Sequence, residues 1–341
     1  METVVTGIKP SGTPHLGNYF GMIQPALALA DAHRAVYFVA DYHALTTFRS
    51  PAELQALTLE VAATWLALGL DVERSVLYLQ SDVPEVCELA WLLGCVLAKG
   101  YLNRAHAYKS ALDDNLAAGR SGDEGISAGL FNYPLLMAAD ILIHDADLVP
   151  VGQDNKQHVE ITRDVAAAFN AAYGHGFRIP EAVIDDAVAT IPGVDGRKMS
   201  KSYDNVIPIF GVKDEVRRAV MSIVTDSRRP EEPKDPESCN AFGIARQLLS
   251  EGAVSELATR YLEGGVGYRE VKELIIEAHE QRFGSARERY EDLVGDPSIV
   301  REILAEGADR AREHALHRLR AARKAVGIIS AADVVEIRPD S

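Results

Sequence analysis

Short apolar runs alternate with longer amphipathic segments through the first half of the chain. The apolar runs lie at residues 3–7, 35–41, 75–80 and 147–152. Each is typical of a strand buried within a sheet. The segments between them carry apolar residues at helical spacing, and Ser50 and Pro51 are well placed to begin a helix over 51–70. This alternation predicts a parallel sheet covered by helices, an α/β fold of Rossmann type.

The second half of the chain has a different pattern, which is mainly helical. Amphipathic stretches lie at 241–263, 268–283, 286–293 and 297–326. Polar, glycine- or proline-rich stretches at 110–127 and 226–240 predict surface loops. A short run at 333–337 resembles a strand. We therefore predict a Rossmann-type domain over 1–205 and an α-helical domain over 206–341.

Composition and charge describe an ordinary globular protein of 341 residues, 47% hydrophobic and 25% charged. A net charge of −15 argues against a protein that coats nucleic acid through its overall charge. Residues 310–324 nevertheless carry six Arg or Lys against one Glu, a local net charge of +5. That stretch is either a patch that grips part of a polyanion or a solvated helix face.

The three cysteines, Cys87, Cys95 and Cys239, form no CxxC pair, and an odd number gives no disulfide framework. We expect reduced thiols in a cytoplasmic protein. The N-terminus does not have the pattern of a signal peptide. No apolar run approaches the ~20 residues of a membrane span, so we predict no membrane segment.

Residues 193–205, GVDGRKMSKSYDN, gather cations and hydroxyls on a glycine-flanked loop. Lys198 and Lys201 supply positive charge, and Ser200 and Ser202 supply hydrogen-bond donors. This set suits a polyphosphate, and the glycines allow the loop to move over its ligand. A solvated basic turn is the alternative for an arbitrary Lys-Ser cluster, but the string KMSKS is far more specific than its composition.

A glycine-rich turn, KPSGTPHLGN at 9–18, joins the first strand to the first long helix. It has the form of a nucleotide site on a doubly wound sheet, although it matches neither a P-loop nor GxGxxG. His15 and Asn18 lie three residues apart on the first helical turn and can face one ligand. The helix N-terminus favours phosphate, and Gly17 lets an adenine ring lie against bare backbone.

Asp140 is unusual because it interrupts the apolar sequence LLMAADILI. A carboxylate buried there is costly without a donor. It is either a structural Asp bonded to its neighbours or an acceptor facing a ligand. Tyr133 and Met137 share its helix face by their spacing. A metal site built on His158 is not predicted, because the spacing of its acidic neighbours matches no zinc motif.

Taken together, these motifs resemble the bacterial tryptophanyl-tRNA synthetases, a family of class I aminoacyl-tRNA synthetases. HLGN is similar to the HIGH signature of that class, and KMSKS is its second signature. The matching pieces occur in the family's order: GIKPSG at 7–12, HLGN at 15–18, Asp41 and His43, SAGLFNYPLLMAADIL at 127–142, VPVGQDNKQHVEITRD at 149–164, KMSKS at 198–202 and VTDS at 224–227.

The resemblance implies a cytoplasmic homodimer whose Rossmann catalytic domain precedes a helical domain that meets the tRNA anticodon. The implied ATP-binding residues are Lys9, Pro10, Ser11, Gly17, Asn18, Gly152, Gln153, Asp154, Ile191, Lys198, Met199, Ser200, Lys201 and Ser202. The implied catalytic residues are Lys198, Lys201, His15 and Asn18. The implied tryptophan-binding residues are Asp140, Met137, Tyr133, His43 and Gly7, with Asp140 accepting the indole N–H.

The activity implied by the resemblance has two steps. The carboxylate of L-tryptophan attacks the α-phosphate of ATP and releases pyrophosphate, and a ribose hydroxyl of tRNA(Trp) then attacks the adenylate. Positioning and charge stabilisation carry such chemistry, with Mg²⁺ sharing the phosphate charge. No enzyme nucleophile is expected.

Three departures from the family pattern affect these expectations. Lys9 stands where many bacterial relatives have Gln, which adds a cation near the triphosphate and is expected to alter metal dependence. Asn155 stands where Gln is frequent, and the segment 104–109 lacks a Gln often found there. The contacts of the tryptophan amino group therefore stay open.

Three other functions compete with this interpretation. A tyrosyl-tRNA synthetase commonly has Gln at the position of Met137, whereas an apolar, polarizable Met suits the face of an indole. A small-molecule adenylyltransferase needs no long helical domain with a basic stretch at 310–324. A non-enzymatic paralogue has no need for two phosphate-binding signatures.

Overall fold

The chain forms an open parallel sheet covered by helices. The structure, a computed structural model, describes residues 1–152, 155–174, 176–184 and 191–328. The strands are β1 (Thr3–Ile8), β2 (Arg34–Val39), β3 (Val76–Leu79), β4 (Leu148–Pro150) and β5 (Glu181–Val183). Their order is β3-β2-β1-β4-β5, and every neighbouring pair is parallel. This confirms the predicted α/β class and adds β5, which the sequence pattern did not indicate.

Helices connect the strands and make up the region after β5. Those of the first half are α1 (Leu16–Asn18), α2 (Gln24–Ala32), α3 (Asp41–Ala44), α4 (Pro51–Ala67), α5 (Glu85–Gly94), α6 (Lys99–Leu102), α7 (His106–Ala117), α8 (Ala128–Leu142) and α9 (Lys156–Tyr173). Those that follow are α10 (Lys213–Met221), α11 (Asn240–Leu248), α12 (Glu251–Glu263), α13 (Tyr268–Gly295) and α14 (Ser298–Ala325). In the described ranges no helix combines the length and apolarity needed to cross a bilayer.

Local signals explain several helix ends. The Ser50 side chain accepts a hydrogen bond from the Glu53 N–H at the start of α4, and Ser127 caps α8 by accepting from the Leu130 N–H (3.1 Å). Gly174 ends α9 with φ 65°, the left-handed conformation that glycine adopts without a Cβ penalty. The cap at Ser127 matters most, because it fixes the start of the helix that carries Asp140.

Some predicted boundaries are wrong. The predicted loop over 110–127 is helical up to Ala117, because the buried Asn115 side chain donates to the carbonyls of Gly122 and Glu124 and folds the following turn back onto α7. These side-chain bonds stabilise a helix in a polar segment whose own helical pattern is weak. The stretches predicted at 268–283 and 286–293 form the single helix α13. The run at 333–337 lies outside the described residues.

Two apolar cores lie on the two faces of the sheet. Val4 and Tyr37 belong to one cluster, which also contains residues of α4, α11 and α13. Val5 and Phe38 belong to the other, which contains residues of α5, α8 and α14. Alternate residues of β1 and β2 therefore point to opposite faces, as a sheet buried on both sides requires. The carboxyl ends of the strands are left as the edge where ligands bind in such folds.

The helix α14 packs directly against the edge strand β3. A Cβ added at Gly307 would lie 1.9 Å from the Leu77 carbonyl oxygen, so only glycine permits this approach. Arg310 strengthens the contact by donating to the carbonyls of Val72 (2.8 Å) and Ser75 (3.0 Å). The last helix of the predicted helical domain therefore contacts the sheet itself, while the predicted boundary at residue 205 stays a prediction.

Replacing Gly307 by alanine should destabilise the protein by about 2–3 kcal/mol, because the new methyl group overlaps backbone that cannot move aside easily. Urea unfolding measures the change. Gly252→Ala on α12 is the matched control, since a Cβ there meets nothing within 4 Å. It should leave stability unchanged or raise it by about 0.5 kcal/mol. Equal losses for both variants would contradict the proposed contact.

Candidate active site

The KMSKS segment lies against the HLGN turn. The Leu16 N–H donates to the Ile207 carbonyl (2.9 Å), and the Gly17 N–H donates to the Sδ of Met199 (3.3 Å). Met199 is buried, with 4% of its surface exposed. The structure therefore brings together two motifs that are some 180 residues apart in sequence, as an ATP site shared between them requires.

Lys201 approaches the glycine turn that follows β1. Gly12 has φ +121°, and a Cβ there would lie 3.0 Å from the Lys201 Nζ. The turn therefore needs glycine both for its conformation and for the space that the lysine occupies. Burial lowers the pKa of Lys201 to about 8, opposed by the negative charge of Glu60. A partly desolvated ammonium group in this position is well suited to a phosphate anion.

His15 is buried next to this lysine, with 6% of its surface exposed. Burial and the charge of Lys201 lower the pKa of His15 to about 4, so the imidazole is neutral at physiological pH. Asn18 Oδ1 accepts from the His15 backbone N–H (3.2 Å) and closes the first turn of α1. The His15 Nδ1 is buried and has no hydrogen-bond partner within the described residues, which leaves it for a ligand.

The other predicted residues of the KMSKS loop are placed unequally. Lys198 and Ser202 are exposed, whereas Ser200 is half-buried and its N–H donates to Asn205 Oδ1 (2.8 Å). The Ile191 carbonyl accepts from the Met199 N–H (2.9 Å) at the base of the loop. Lys201 is thus the loop lysine that the structure places at the HLGN turn.

Of the remaining predicted ATP-binding residues, Pro10 is buried and Ser11 exposed on the turn after β1. Gly152 follows β4, where its carbonyl accepts from the Asn155 N–H (2.9 Å). Gln153 and Asp154 lie outside the described residues. The roles of all these residues stay predictions.

Lys9 links the nucleotide turn to α3. Its Nζ donates to the Thr46 Oγ1 (3.1 Å), and that hydroxyl donates to the His43 carbonyl (2.8 Å). Burial lowers the pKa of Lys9. The departure at position 9 thus adds a partly buried cation between the two predicted binding regions.

Asp140 lies in a hydrogen-bonded cluster and is 1% exposed. Gln80 Nε2 donates to both carboxylate oxygens, and His43 Nε2 lies 3.1 Å from Oδ2. Burial raises the pKa of Asp140, opposed by His43 and Gln80. His43 and Gln80 both lie at the carboxyl edge of the sheet, which places the carboxylate at the ligand edge rather than deep in the core.

The other predicted tryptophan-binding residues lie around this carboxylate. The His43 and Tyr133 rings meet edge to face, with centroids 5.9 Å apart. Tyr133 also contacts His158 through its hydroxyl, and Met137 is half-buried on the same helix. Gly7 leaves space for the Phe38 ring, since a Cβ there would lie 2.4 Å from it.

Sequence reasoning missed Gln80. It follows the apolar run VLYL of β3, at the same edge as Asp41 after β2. A polar side chain directly after a buried parallel strand is the signal that could have identified it. Asp41 accepts from the Ser81 N–H (3.0 Å) and so joins these two strand ends.

The basic stretch at 310–324 lies on a largely exposed helix face, but most of its cations also contact the rest of the chain. Four of its six cations bind within the chain: Arg310 to the carbonyls of Val72 and Ser75, Arg312 to Glu85, Arg318 to Asp145 and Arg323 to Glu88. Arg320 and Lys324 are exposed. Most of this charge therefore holds α14 to the sheet and its neighbouring helices, so the expectation of a patch for a polyanion is wrong for those four side chains.

Comparison with known proteins places these motifs in a family. Residues 2–284 match the model for class I tRNA synthetases of the tryptophan and tyrosine type. The tryptophan–tRNA ligase of Pseudomonas aeruginosa is 50% identical over 333 residues, which cover 96% of this chain and 74% of the relative. That of Bordetella parapertussis is 49% identical over 329 residues, covering 95% and 73%.

A solved structure agrees with the sequence comparison. The Campylobacter jejuni tryptophanyl-tRNA synthetase, crystallised with ADP and tryptophan, superposes with a TM-score of 0.86 at 44% identity. The match covers 95% of this chain and 99% of that one. The family match, the extent of the identity and the joining of the HLGN and KMSKS motifs all agree. The chain belongs to the class I tRNA synthetases of the tryptophan and tyrosine type.

Proposed function

We infer that this chain catalyses the ligation of L-tryptophan to tRNA(Trp), first forming tryptophanyl-adenylate from ATP and then transferring the tryptophanyl group. The observation that carries this inference is the identity of 50% to a tryptophan–tRNA ligase across 96% of the chain. The placement of KMSKS on HLGN and the presence of a buried acceptor at Asp140 support it from the geometry.

In the first step the chain's own residues bind and orient ATP. The neutral His15 donates to a phosphate oxygen through its imidazole N–H, and Gly17 lies against the adenine. Lys201 neutralises the charge that builds up as pyrophosphate leaves. The exposed Lys198 reaches the triphosphate only if the loop rearranges around the ligand.

Magnesium enters this site with its substrate. Within the described residues no three His, Cys, Asp or Glu side chains are grouped to hold a metal, so we propose that Mg²⁺ arrives bound to the triphosphate. Lys9 adds a fixed cation nearby and reduces the charge that the ion must balance. The chemistry that Mg²⁺ supplies is charge neutralisation at the phosphates.

Selection of tryptophan rests on Asp140 and Met137. The carboxylate accepts the indole N–H, and the thioether packs on the indole face without presenting an amide that needs a partner. A site that pairs a substrate donor rejects analogues lacking that donor by about 10⁴-fold, so selection of this kind needs no editing step. The half-buried Tyr133 and His43 close the pocket around the ring.

Amino-acid-dependent ATP–pyrophosphate exchange tests this function. Exchange should depend on tryptophan, with tyrosine giving less than about a thousandth of its kcat/KM. Charging of tRNA(Trp) then tests the second step. Exchange driven by tyrosine, or by neither amino acid, would refute the assignment.

We also propose that the chain works as a cytoplasmic homodimer joined through α5. Trp91 is 74% exposed on this helix, and Cys87 and Cys95, four residues to either side, are exposed with it. An exposed apolar helix face of this kind marks a protein contact. The helix packs on α8, so a partner there supports the element that carries Asp140.

Trp91→Lys should convert the dimer to a monomer, because a charge replaces an aromatic anchor at the interface. Light scattering after size-exclusion chromatography should report half the mass of the wild type at micromolar concentration. Leu262→Lys, at a side chain 61% exposed on α12, is the control and should stay dimeric. A wild-type protein that is monomeric at this concentration would contradict the proposal.

A further inference from the structure

Gln80 is a fully buried polar side chain at the ligand edge of the sheet. It follows β3 directly and has none of its surface exposed. A buried amide must satisfy both its donor and its acceptor ends. Its surroundings therefore fix which way it points, and that orientation determines what it does for its neighbours.

The backbone sets the direction of this amide. The His43 N–H donates to Gln80 Oε1 (3.4 Å), so the oxygen end is occupied by a donor. The nitrogen end faces Asp140 and donates to Oδ1 (2.9 Å) and Oδ2 (2.8 Å). A flipped amide would place its oxygen against the carboxylate and its nitrogen against an N–H, so the assigned direction is the one that the contacts allow.

The two oxygens of Asp140 are not equivalent. Oδ2 accepts from Gln80 and from His43 Nε2, which uses both of its lone-pair positions. Oδ1 accepts from Gln80 alone in the described part of the chain, which leaves one lone-pair position. We propose that Gln80 is a positioning residue for tryptophan selection, which holds the Asp140 carboxylate so that Oδ1 is the atom that accepts the indole N–H. This inference rests on the proposed function.

The surroundings explain why a neutral amide is needed in this place. Asp140 has no Lys or Arg ion-pair partner within the described residues. Of its hydrogen-bond donors there, only His43 can carry a positive charge. The charge of Asp41 on α3 and burial both raise the pKa of Asp140, while His43 and Gln80 lower it. Burial and the charge of this carboxylate also raise the pKa of Tyr78 on β3 and of Cys87 on α5. The Tyr78 hydroxyl is engaged with His144 (2.8 Å).

Two substitutions of Gln80 should therefore change tryptophan use in opposite directions with pH. Gln80→Met removes the donor, so the carboxyl of Asp140 holds its proton to higher pH and the acid limb of kcat/KM for tryptophan moves upward. In Gln80→Glu the new carboxyl and that of Asp140 share one proton, so at lower pH the side chain at position 80 can still donate to Asp140. Above the second ionisation two buried charges repel, so this variant loses tryptophan use on the alkaline side.

The experiment measures ATP–pyrophosphate exchange from pH 6 to 9 with L-tryptophan and with 3-benzothienyl-L-alanine, in which sulfur replaces the indole N–H. Gln80→Met should lower the preference for tryptophan over this analogue by about tenfold, through KM, with the KM for ATP unchanged. Tyr37→Phe, which removes one equally buried hydrogen bond to the Ala26 carbonyl, is the control and should retain the wild-type preference.

The outcomes separate this inference from the function on which it rests. A wild type that shows no tryptophan-dependent exchange would refute the proposed function. A wild type that prefers tryptophan, with Gln80 variants that keep the same preference or shift in the same direction with pH, would overturn the role of Gln80 alone. If Gln80→Met does not fold, the alkaline loss in Gln80→Glu still decides the question.

Discussion

Asp140→Ala should lower kcat/KM for tryptophan by about 10³-fold while the KM for ATP changes less than about threefold. The variant removes the proposed acceptor for the indole N–H and leaves the buried donors of Gln80 and His43 without their partner. The proposed ATP contacts lie on other elements, at the HLGN turn and the KMSKS loop, and should persist. Exchange kinetics with each substrate varied in turn measure both constants.

A structural defect must be separated from a loss of recognition in this variant. Asp140→Asn is the comparison variant. It keeps the shape of the side chain and one acceptor oxygen, but its amide N–H₂ faces the donors of Gln80 and His43. It should retain more of the wild-type fold, as judged by thermal unfolding, and still lose at least about 10²-fold in tryptophan use. Equal losses of ATP and tryptophan use in both variants would indicate a structural Asp, which the sequence left as an alternative.

Lys201→Ala should lower kcat for tryptophan activation by about 10²–10³-fold, because it removes the partly buried cation that the structure places beside the Gly12 turn. Binding of tryptophan should change little, since the residues proposed to bind the indole lie on other elements. Arg197→Ala is the matched control. It removes a cation from the same loop that is exposed and paired with Asp195, and it should cost less than about threefold.

The lowered pKa of Lys201 also predicts a pH dependence of ATP use. The ammonium group of the free enzyme loses its proton as pH rises through about 8, so kcat/KM for ATP should fall above that pH. Bound triphosphate favours the charged form and raises the pKa again, so kcat should show the effect less. Lys201→Arg, which stays charged, should remove the alkaline limb. An unchanged limb in that variant would assign the titration to another group.

The meeting of the two signature motifs could be predicted because the chemistry of each motif is local. HLGN and KMSKS each place phosphate-binding groups within a few residues, and the fold needed only to bring them together. Asp140 stood out because a carboxylate in an apolar helix must be compensated. Its compensation by Gln80 could not be inferred, since the contact joins α8 to the end of β3 and depends on the strand order of the sheet.

The charge pattern of the sequence was the least reliable indicator of function. The cluster of arginines on α14 indicated a surface for a polyanion, yet most of them bind carbonyls and carboxylates of the same chain. Sequence gives the number of charges but not their partners, which are far away along the chain. The end of α7 was missed for a different reason: Asn115 donates to carbonyls seven and nine residues further along, and these bonds have no signature in the sequence.

The close approach of α14 to β3 bears on how this enzyme can be dissected. β3 is the outer strand of the sheet, and Gly307 and Arg310 lie against its free backbone. A fragment ended at residue 205 would leave that backbone open to pairing with other copies, which favours aggregation. Removing the C-terminal helices is therefore a poor way to obtain an isolated adenylate-forming unit, because α14 shields the edge strand of the sheet.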